Sequence, residues 1–121
     1  MKKVALVTGG TRGIGESISK LLNENNYTVI ASYNSNDEAA QKFASKNEIE
    51  IEKWDVSSYE ETKTAIEKLK SKYGQIDILV NNAGINKDAP LHKMKKEKWD
   101  AVINVNLNSI FNLTSNVIND M

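Results

Sequence analysis

The residues best suited to binding chemistry form a glycine-rich turn near the start of the chain. The turn directly follows the apolar run Val4–Val7, and its residues are Thr8-Gly9-Gly10-Thr11-Arg12-Gly13-Ile14-Gly15. From there on, apolar residues recur at helical spacing, at Ile14, Ile18, Leu21 and Leu22. This order predicts a buried strand, a tight turn and a helix.

Glycines in such a turn allow backbone angles that a Cβ would block, and they let the main chain approach an anion closely. The free N–H groups and the positive dipole end of the following helix would then face that anion. The spacing Thr8-Gly9-x-x-x-Gly13-x-Gly15, between a strand and a helix, favours a site for the pyrophosphate of a dinucleotide. A tight strand-to-helix connection without a ligand is the alternative.

The composition indicates one domain over residues 1–121, large enough to form a core. The chain carries 16 basic and 16 acidic residues, so no excess charge points to nucleic acid or to an anionic membrane. The absence of cysteine excludes disulfides and thiolate metal sites. No stretch approaches the roughly 20 apolar residues of a membrane span, and the run Val4–Val7 is too short for a signal sequence. We therefore expect a cytoplasmic protein that binds neither nucleic acid nor membranes, and we identify no metal site.

The end of the second predicted strand, residues 27–33, bears on the choice of cofactor. An acidic residue there would hydrogen-bond the adenosine ribose and repel a 2′-phosphate, but the residues present are Ser32, Tyr33 and Asn34. Arg12 in the glycine-rich turn offers a cation to a phosphate instead. Asp37 lies about 20 residues past the turn, yet residues 35–38 are more typical of a capped helix start than of a ribose-binding acid. We therefore expect NADP rather than NAD.

The next predicted strand lies within residues 48–56 and ends in Asp55-Val56. This is the carboxyl side of the sheet, where ligands bind in open α/β folds. The Asp55 carboxylate is suited to accept a hydrogen bond from an adenine amino group. A turn aspartate that caps the next helix is an equally good interpretation, and both stay open.

The following helix starts at a capping box, Ser58-x-x-Glu61, and ends at Gly74. It contains Tyr59-x-x-x-Lys63, a spacing at which a lysine can lower the pKa of a tyrosine on the same helix face. Since the pair lies on the first turn of a solvated helix, beside two glutamates, we expect it to have no catalytic role.

A fourth apolar strand, residues 76–80, runs directly into Asn81-Asn82-Ala83-Gly84. Two carboxamides, a small residue and a glycine suit a strand end at which polar groups satisfy each other while a flat ligand passes close. The same composition is also found in plain polar turns. Together with the glycine-rich turn, it makes the prediction of a nucleotide site more specific.

In order and at matching intervals, the glycine-rich turn, Asp55-Val56 and Asn81-Asn82-Ala83-Gly84 resemble the short-chain dehydrogenase/reductase family over the whole chain. The resemblance implies a Rossmann-type α/β fold, with a parallel sheet in the order 3-2-1-4 and helices on both faces. It implies that the glycine-rich turn binds the pyrophosphate, that Arg12 binds the 2′-phosphate and that Asp55 contacts the adenine. The other cofactor-binding positions are then Tyr33, Asn34, Val56, Asn81, Ala83 and Gly84.

The later part of the chain resembles particular enzymes within this family. The run from Asn81 to Met121, with Lys93-Met94, Trp99-Asp100 and Phe111-Asn112, is similar to bacterial acetoacetyl-CoA reductases and 3-oxoacyl-(acyl-carrier-protein) reductases. Those enzymes reduce a 3-oxoacyl thioester with NADPH. We therefore expect this sequence to belong to an NADPH-dependent reductase of such a thioester.

The apolar spacing predicts one long helix over about residues 96–121, with a stripe at Trp99, Val102, Ile103, Ile110, Leu113 and Val117. Asn106 lies within this stripe, and a buried amide there must be satisfied by backbone, water or ligand. The resemblance implies that Asn106, the only catalytic position of the family present here, bends the helix and holds a water of the proton relay. A core asparagine bonded to nearby backbone is the alternative.

Two further expectations concern this region. The resemblance implies that the helix over about residues 96–121 packs against its copy in a neighbouring subunit, so we expect a homo-oligomer. His92, the only histidine, lies in the loop before the helix and is interpreted as a surface residue rather than a base.

The sequence ends at Met121, after the helix that follows the fourth strand. The resemblance implies that a fifth strand with a catalytic serine and a helix with a Tyr-x-x-x-Lys pair lie beyond that point. We therefore expect a truncated half of the fold, without significant reductase activity alone. The alternatives are a non-catalytic module that binds NADP(H) and an oligomerisation module whose nucleotide site is vestigial.

Overall fold

A four-stranded sheet forms the centre of the computed structural model, which describes residues 2–121. The strands are β1 (Val4–Val7), β2 (Thr28–Tyr33), β3 (Glu50–Lys53) and β4 (Ile78–Val80). All are parallel, in the order β3-β2-β1-β4. Leu6 of β1 pairs with Ile30 on one side and with Leu79 on the other. The predicted fold class and strand order are confirmed.

Three helices connect the strands, namely α1 (Gly13–Glu24), α2 (Asp37–Asn47) and α3 (Tyr59–Tyr73). Asn36 has a left-handed backbone, with φ of 65°, and its side chain caps α2 by accepting a hydrogen bond from the Ala39 N–H. The interpretation of residues 35–38 as a capped helix start is therefore confirmed. Ser58 caps α3 by accepting from the Glu61 N–H at 3.1 Å.

The long helix predicted over about residues 96–121 is interrupted. It consists of α4 (Lys96–Ile103), a π-helical turn (Asn104–Asn108) and α5 (Ser109–Val117), with 3-10 turns at Leu91–Lys93 and Ile118–Asp120. A π turn adds a residue to the helical repeat and so rotates the face that follows it. The predicted apolar stripe is divided as a result. Leu113 and Val117 are buried, whereas Trp99 is 50% exposed and Ile110 is 43% exposed.

Apolar side chains are buried on both faces of the sheet. On one face, Leu6 and Ile30 belong to a cluster with Ile66 of α3 and Leu113 of α5. On the other face, Val29 belongs to a cluster with Phe43 of α2, against which α1 also packs. Each such side chain contributes about 1.5–3 kcal/mol on burial. These two layers hold the helices against the sheet and so fix the strand ends that carry the site.

Helix α1 faces the sheet with two small residues as well as with apolar ones. Ile14 is 75% exposed and Leu21 is 61% exposed, whereas Gly15 and Ser19 are buried. Because successive residues are about 100° apart around a helix, the side with Gly15 and Ser19 lies well away from Ile14 and Leu21. The small residues let the helix approach the glycine-rich turn, and Ser19 Oγ donates to the Gly10 carbonyl at 3.0 Å. The side of α1 that faces the sheet therefore consists of Gly15, Ile18, Ser19 and Leu22.

No helix within residues 2–121 combines the length and the apolar character that crossing a membrane requires.

Candidate functional site

The glycine-rich turn is closely packed on one side and open on the other. Gly9 and Gly13 have positive φ angles of 61° and 58°. A Cβ on Gly10 would lie 2.7 Å from Ser19 Oγ, and a Cβ on Gly15 would overlap the Gly9 carbonyl oxygen. A Cβ on Gly13 would meet no atom within 4 Å. Gly10 and Gly15 are therefore required for packing, whereas Gly13 is required by its backbone conformation alone.

The end of β4 holds this turn in place. The Thr8 N–H donates to the Val80 carbonyl at 3.0 Å, and Thr8 Oγ1 accepts from the main-chain N–H groups of Asn82 and Ala83, both at 3.0 Å. Asn82 Nδ2 donates to the carbonyl oxygens of Thr8 and Gly9, each at 3.1 Å. The strand ends of β1 and β4 are thus one hydrogen-bonded unit.

A cavity of about 150 Å³, here called the strand-end cavity, lies beside this unit at the carboxyl ends of the strands. Predicted cofactor-binding residues that line it are Gly9, Thr11, Arg12, Tyr33, Asn34, Asp55, Val56, Ala83 and Gly84. Its remaining wall residues, which the sequence interpretation did not include, are Ser32, Ser35, Trp54, Ile85 and Val105. The volume is below the roughly 300–1,000 Å³ of a site that encloses a drug-sized ligand. The enclosed space therefore suits one end of a dinucleotide rather than the whole molecule.

The other predicted cofactor-binding residues lie outside the wall of this cavity. Thr8, Gly10 and Gly15 are packed inside the turn, where their role is to shape it. Gly13 and Ile14 lie at the exposed start of α1. Asn81 is exposed, and its Nδ2 donates to Thr114 Oγ1 at 3.3 Å. The carboxamide that organises the turn is that of Asn82, which was not among the predicted site residues.

Arg12 presents a free cation at the rim of the strand-end cavity. It occupies the position before α1 with an extended backbone, and its side chain makes no capping hydrogen bond. Within residues 2–121 its guanidinium has no salt-bridge partner. A guanidinium without an internal partner is available to bind a phosphate in two hydrogen bonds.

Asp55 closes a turn and lines the cavity at the same time. Its Oδ1 accepts from the Ser57 N–H at 2.9 Å and from Ser57 Oγ at 2.7 Å. The Asp55 N–H donates to Glu61 Oε1 at 3.3 Å, so Glu61 bonds to this turn rather than back to Ser58 as a full capping box predicts. Asp55 therefore lies in a turn as that alternative predicted, but the prediction that it caps the next helix is wrong, because the cap of α3 is Ser58.

Asp37, the acid considered for the ribose, forms an ion pair in the first turn of α2. Lys53 Nζ lies 3.0 Å from Asp37 Oδ1 and 3.2 Å from Oδ2. The hydrogen bond from Lys53 holds the pKa of Asp37 below its ordinary value, and the same bond raises the pKa of Lys53. Partial burial and then the Asp37 carboxylate raise the pKa of the nearby Tyr33 phenol.

Asn106 lies in the π-helical turn and is exposed, so the expectation of a buried amide is wrong. Its side chain is nevertheless satisfied by backbone, because Oδ1 accepts from the Ile85 N–H at 2.8 Å and Nδ2 donates to the Ile85 carbonyl at 2.9 Å. A Cβ on Gly84 would lie 3.3 Å from Asn106 Oδ1. Asn106 therefore fixes the segment that follows β4, and the same segment lines the strand-end cavity.

A second and larger cavity of about 620 Å³, here called the side groove, lies between α4 and the segment after β4. Its wall consists of Ile85, Asn86, Lys87, Asp88, Ala89, Pro90, Met94, Trp99, Val102 and Ile103. Ile85 belongs to both cavities. The two spaces therefore adjoin at the residue that Asn106 holds.

The remaining candidates for chemistry lie away from the strand-end cavity. The Tyr59 ring stacks on Phe111, with ring centres 6.1 Å apart, and does not line the cavity. His92 is exposed in the 3-10 turn Leu91–Lys93, which agrees with its interpretation as a surface residue. Residues 2–121 contain no group of three or more histidine, cysteine, aspartate or glutamate side chains arranged to hold a metal ion.

Comparison with known proteins agrees with this geometry. A family model described as short chain dehydrogenase matches residues 3–121. The acetoacetyl-CoA reductases of Shinella zoogloeoides and Paracoccus denitrificans are 53% and 48% identical to the chain, each over 121 residues that cover 100% of this chain and 50% of the relative. The 3-oxoacyl-(acyl-carrier-protein) reductase of Thermotoga maritima is 42% identical over 120 residues, which cover 96% of this chain and 49% of that enzyme.

The chain thus spans about half the length of the curated relatives it matches. The family model extends over nearly all of its residues, including the glycine-rich turn, the ends of β1 to β4 and the π-helical turn. The chain therefore belongs to the short-chain dehydrogenase family.

Proposed function

We propose that this chain forms the NADPH-binding part of a reductase that acts on a 3-oxoacyl thioester. The observation that carries the proposal is the free guanidinium of Arg12, which stands at the rim of a cavity formed by a glycine-rich turn and four parallel strand ends. The relatives that reduce acetoacetyl-CoA or a 3-oxoacyl-(acyl-carrier-protein), by their names, support the same substrate class.

The residues present fit a dinucleotide phosphate. The turn before α1 brings backbone close to the site because Gly9 and Gly13 adopt positive φ angles. The start of α1 supplies unbonded N–H groups and the positive end of the helix dipole to the pyrophosphate. In this proposal Arg12 binds the 2′-phosphate, Asp55 uses its second carboxylate oxygen for the adenine amino group, and Ala83 and Gly84 border the adenosine.

When bound, the nicotinamide would supply hydride to the carbonyl carbon of the substrate. The chain's own residues fix the segments that line the two cavities. Asn82 fixes the glycine-rich turn, and Asn106 fixes Ile85 between the two cavities. We propose that the acyl thioester lies in the side groove, because this groove adjoins the strand-end cavity and has an apolar wall that includes Trp99 and Met94.

Protonation of the carbonyl oxygen needs an acid that we do not assign within residues 2–121. Tyr59 stacks on Phe111 outside the cavity. Tyr33 lines the cavity, but burial and Asp37 raise its pKa and so make it a weaker acid. We therefore propose that these 121 residues bind the nucleotide without sustaining turnover by themselves. In an assay of NADPH oxidation with acetoacetyl-CoA, sustained turnover by this chain would contradict that proposal.

The experiment for cofactor choice uses the buried tryptophan as a probe. Trp54 lines the strand-end cavity, whereas Trp99, the other tryptophan, lines the side groove. In a Trp99→Phe background, NADPH and NADH are titrated against the emission of Trp54. We expect NADPH to bind more tightly, and we expect Arg12→Gln to remove most of that preference because the 2′-phosphate loses its bidentate partner. If the preference for NADPH over NADH were the same with and without Arg12→Gln, the role of Arg12 would be contradicted.

A second function is favoured by one specific observation. The helix face that includes Leu107, Ile110 and Phe111 is exposed over a contiguous stretch of sequence. Exposed apolar patches mark association surfaces in soluble proteins. We therefore propose that this face pairs with a second copy of the chain, as an oligomerisation surface that accompanies nucleotide binding.

A further inference from the structure

Two carboxylates near the end of β2 are each paired with a lysine. Asp37 pairs with Lys53, and Glu52 pairs with Lys68 at 2.8 Å. Three of these four residues, Asp37, Lys53 and Glu52, influence Tyr33, which lines the cavity. After partial burial, the charge of Asp37 raises the pKa of Tyr33, Lys53 lowers it and Glu52 raises it. The charges of α2 and β3 therefore act at the end of β2.

The position of Lys53 is set by the pairing of β2 with β3. In the parallel register of β2 and β3, Lys53 is the direct partner of Tyr33. Its ammonium group reaches both oxygens of Asp37, at 3.0 and 3.2 Å. Neither Lys53 nor Asp37 lines the strand-end cavity itself, so their effect on a nucleotide there is electrostatic.

A free acid near the end of β2 favours a ribose hydroxyl and repels a 2′-phosphate. Asp37 has the right chemistry for that role and lies two residues beyond Ser35, a residue of the cavity wall. Because Lys53 Nζ lies within 3.2 Å of both carboxylate oxygens, the negative charge of Asp37 is compensated by a neighbouring ammonium group.

We infer that Lys53 is a positioning residue for cofactor choice, which acts by holding Asp37 in an ion pair so that the compensated acid repels a 2′-phosphate less. The inference rests on the proposed function, since it assigns a selectivity device to the same cavity. It makes the preference for a 2′-phosphorylated nucleotide depend on two parts, the guanidinium of Arg12 and the neutralised Asp37.

The test compares two nucleotides that differ only in the 2′-phosphate, adenosine 2′,5′-bisphosphate and adenosine 5′-monophosphate, by calorimetry at low ionic strength. Lys53→Gln is expected to weaken binding of the bisphosphate about three- to fivefold and that of the monophosphate less than about twofold, the range open to exposed charge interactions. Lys53→Arg is expected to keep the wild-type preference. The double variant Lys53→Gln/Asp37→Asn is expected to regain it, because the repelling acid is gone.

A matched control removes the same charge from an exposed lysine of α2 that also pairs with an acid. Lys42→Gln breaks the exposed pair of Lys42 with Glu38 on α2 and is expected to leave the preference unchanged. Circular dichroism confirms that each variant is folded. Equal loss for both nucleotides in Lys53→Gln, or a loss that persists in the double variant, would overturn the inference and leave the proposed function standing. Failure of the wild-type chain to bind the bisphosphate would overturn the proposed function and this inference together.

Discussion

Asn82 donates two hydrogen bonds to Thr8 across the ends of β1 and β4. The Asn82 N–H donates to Thr8 Oγ1 at 3.0 Å, and Asn82 Nδ2 donates to the Thr8 carbonyl at 3.1 Å. The same Nδ2 group also donates to the Gly9 carbonyl. The glycine-rich turn is therefore positioned by a side chain that is 74 residues away in the sequence.

Substitution of Asn82 tests this relationship. We expect Asn82→Ala to lower the free energy of unfolding by about 1–3 kcal/mol, because two partly buried carbonyl oxygens lose their donor. The variant should also bind NADPH more weakly. Asn81→Ala is the control, since the Asn81 side chain is exposed and bonds only to Thr114, and it should change stability by less than about 0.5 kcal/mol. Equal effects of the two substitutions in urea denaturation would contradict the assignment.

The glycines of the turn are expected to differ in what they tolerate. A Cβ at position 15 overlaps the Gly9 carbonyl oxygen, whereas a Cβ at position 13 enters open space. Gly15→Ala should therefore cost about 3 kcal/mol of stability or more through overpacking. Gly13→Ala should cost only about 1 kcal/mol, from its left-handed backbone. Thermal unfolding of the two variants measures these losses of stability. A larger loss of stability in Gly13→Ala than in Gly15→Ala would show that the turn is packed differently.

Asn106 is expected to protect one particular amide. In Asn106→Ala the Ile85 N–H loses its acceptor, so its hydrogen exchange measured by NMR should become faster while the amides of β1 stay unchanged. Asn108→Ala is the matched control, because Asn108 bonds to the Asn104 side chain in the same π-helical turn and not to Ile85. Unchanged exchange at Ile85 in Asn106→Ala would mean that this segment is held by other contacts.

The exposed helix face that includes Leu107, Ile110 and Phe111 is expected to mediate association between two copies of the chain. Phe111→Glu places a charge in the centre of an apolar patch and should shift the chain from dimer to monomer in sedimentation at micromolar concentration. Ser71→Glu adds the same charge at an exposed position of α3 and should leave the dimer intact. A monomeric wild-type chain at that concentration would count against the association surface.

Several features of the fold and site followed from the sequence, because the physical signals are local. The spacing of glycines between an apolar run and a helix predicted the turn, and the alternation of strands and helices predicted the parallel sheet. Most of the predicted cofactor residues line one cavity because strand ends of a parallel sheet meet at one edge. The preference for NADPH stays a prediction.

Other features depended on tertiary structure. Asn81 and Asn82 are chemically identical neighbours, and only the pairing of β4 with β1 decides which carboxamide reaches the turn. Helical spacing alone did not separate the exposed Ile14 and Leu21 of α1 from Ile18 and Leu22, which pack on the core. Asn106 interrupts the predicted apolar stripe, but its exposure in a π-helical turn and its bonds to Ile85, 21 residues earlier, depend on contacts distant in the sequence.

The central claim, that this chain binds NADPH through the glycine-rich turn and Arg12, is tested most directly by calorimetry of the 121-residue chain with NADPH, with NADH as the comparison. We predict one nucleotide per chain, with NADPH bound at least tenfold more tightly, a difference of about 1.4 kcal/mol. Equal affinity for the two nucleotides would contradict the role of Arg12. No binding of either would contradict the proposed function as a whole.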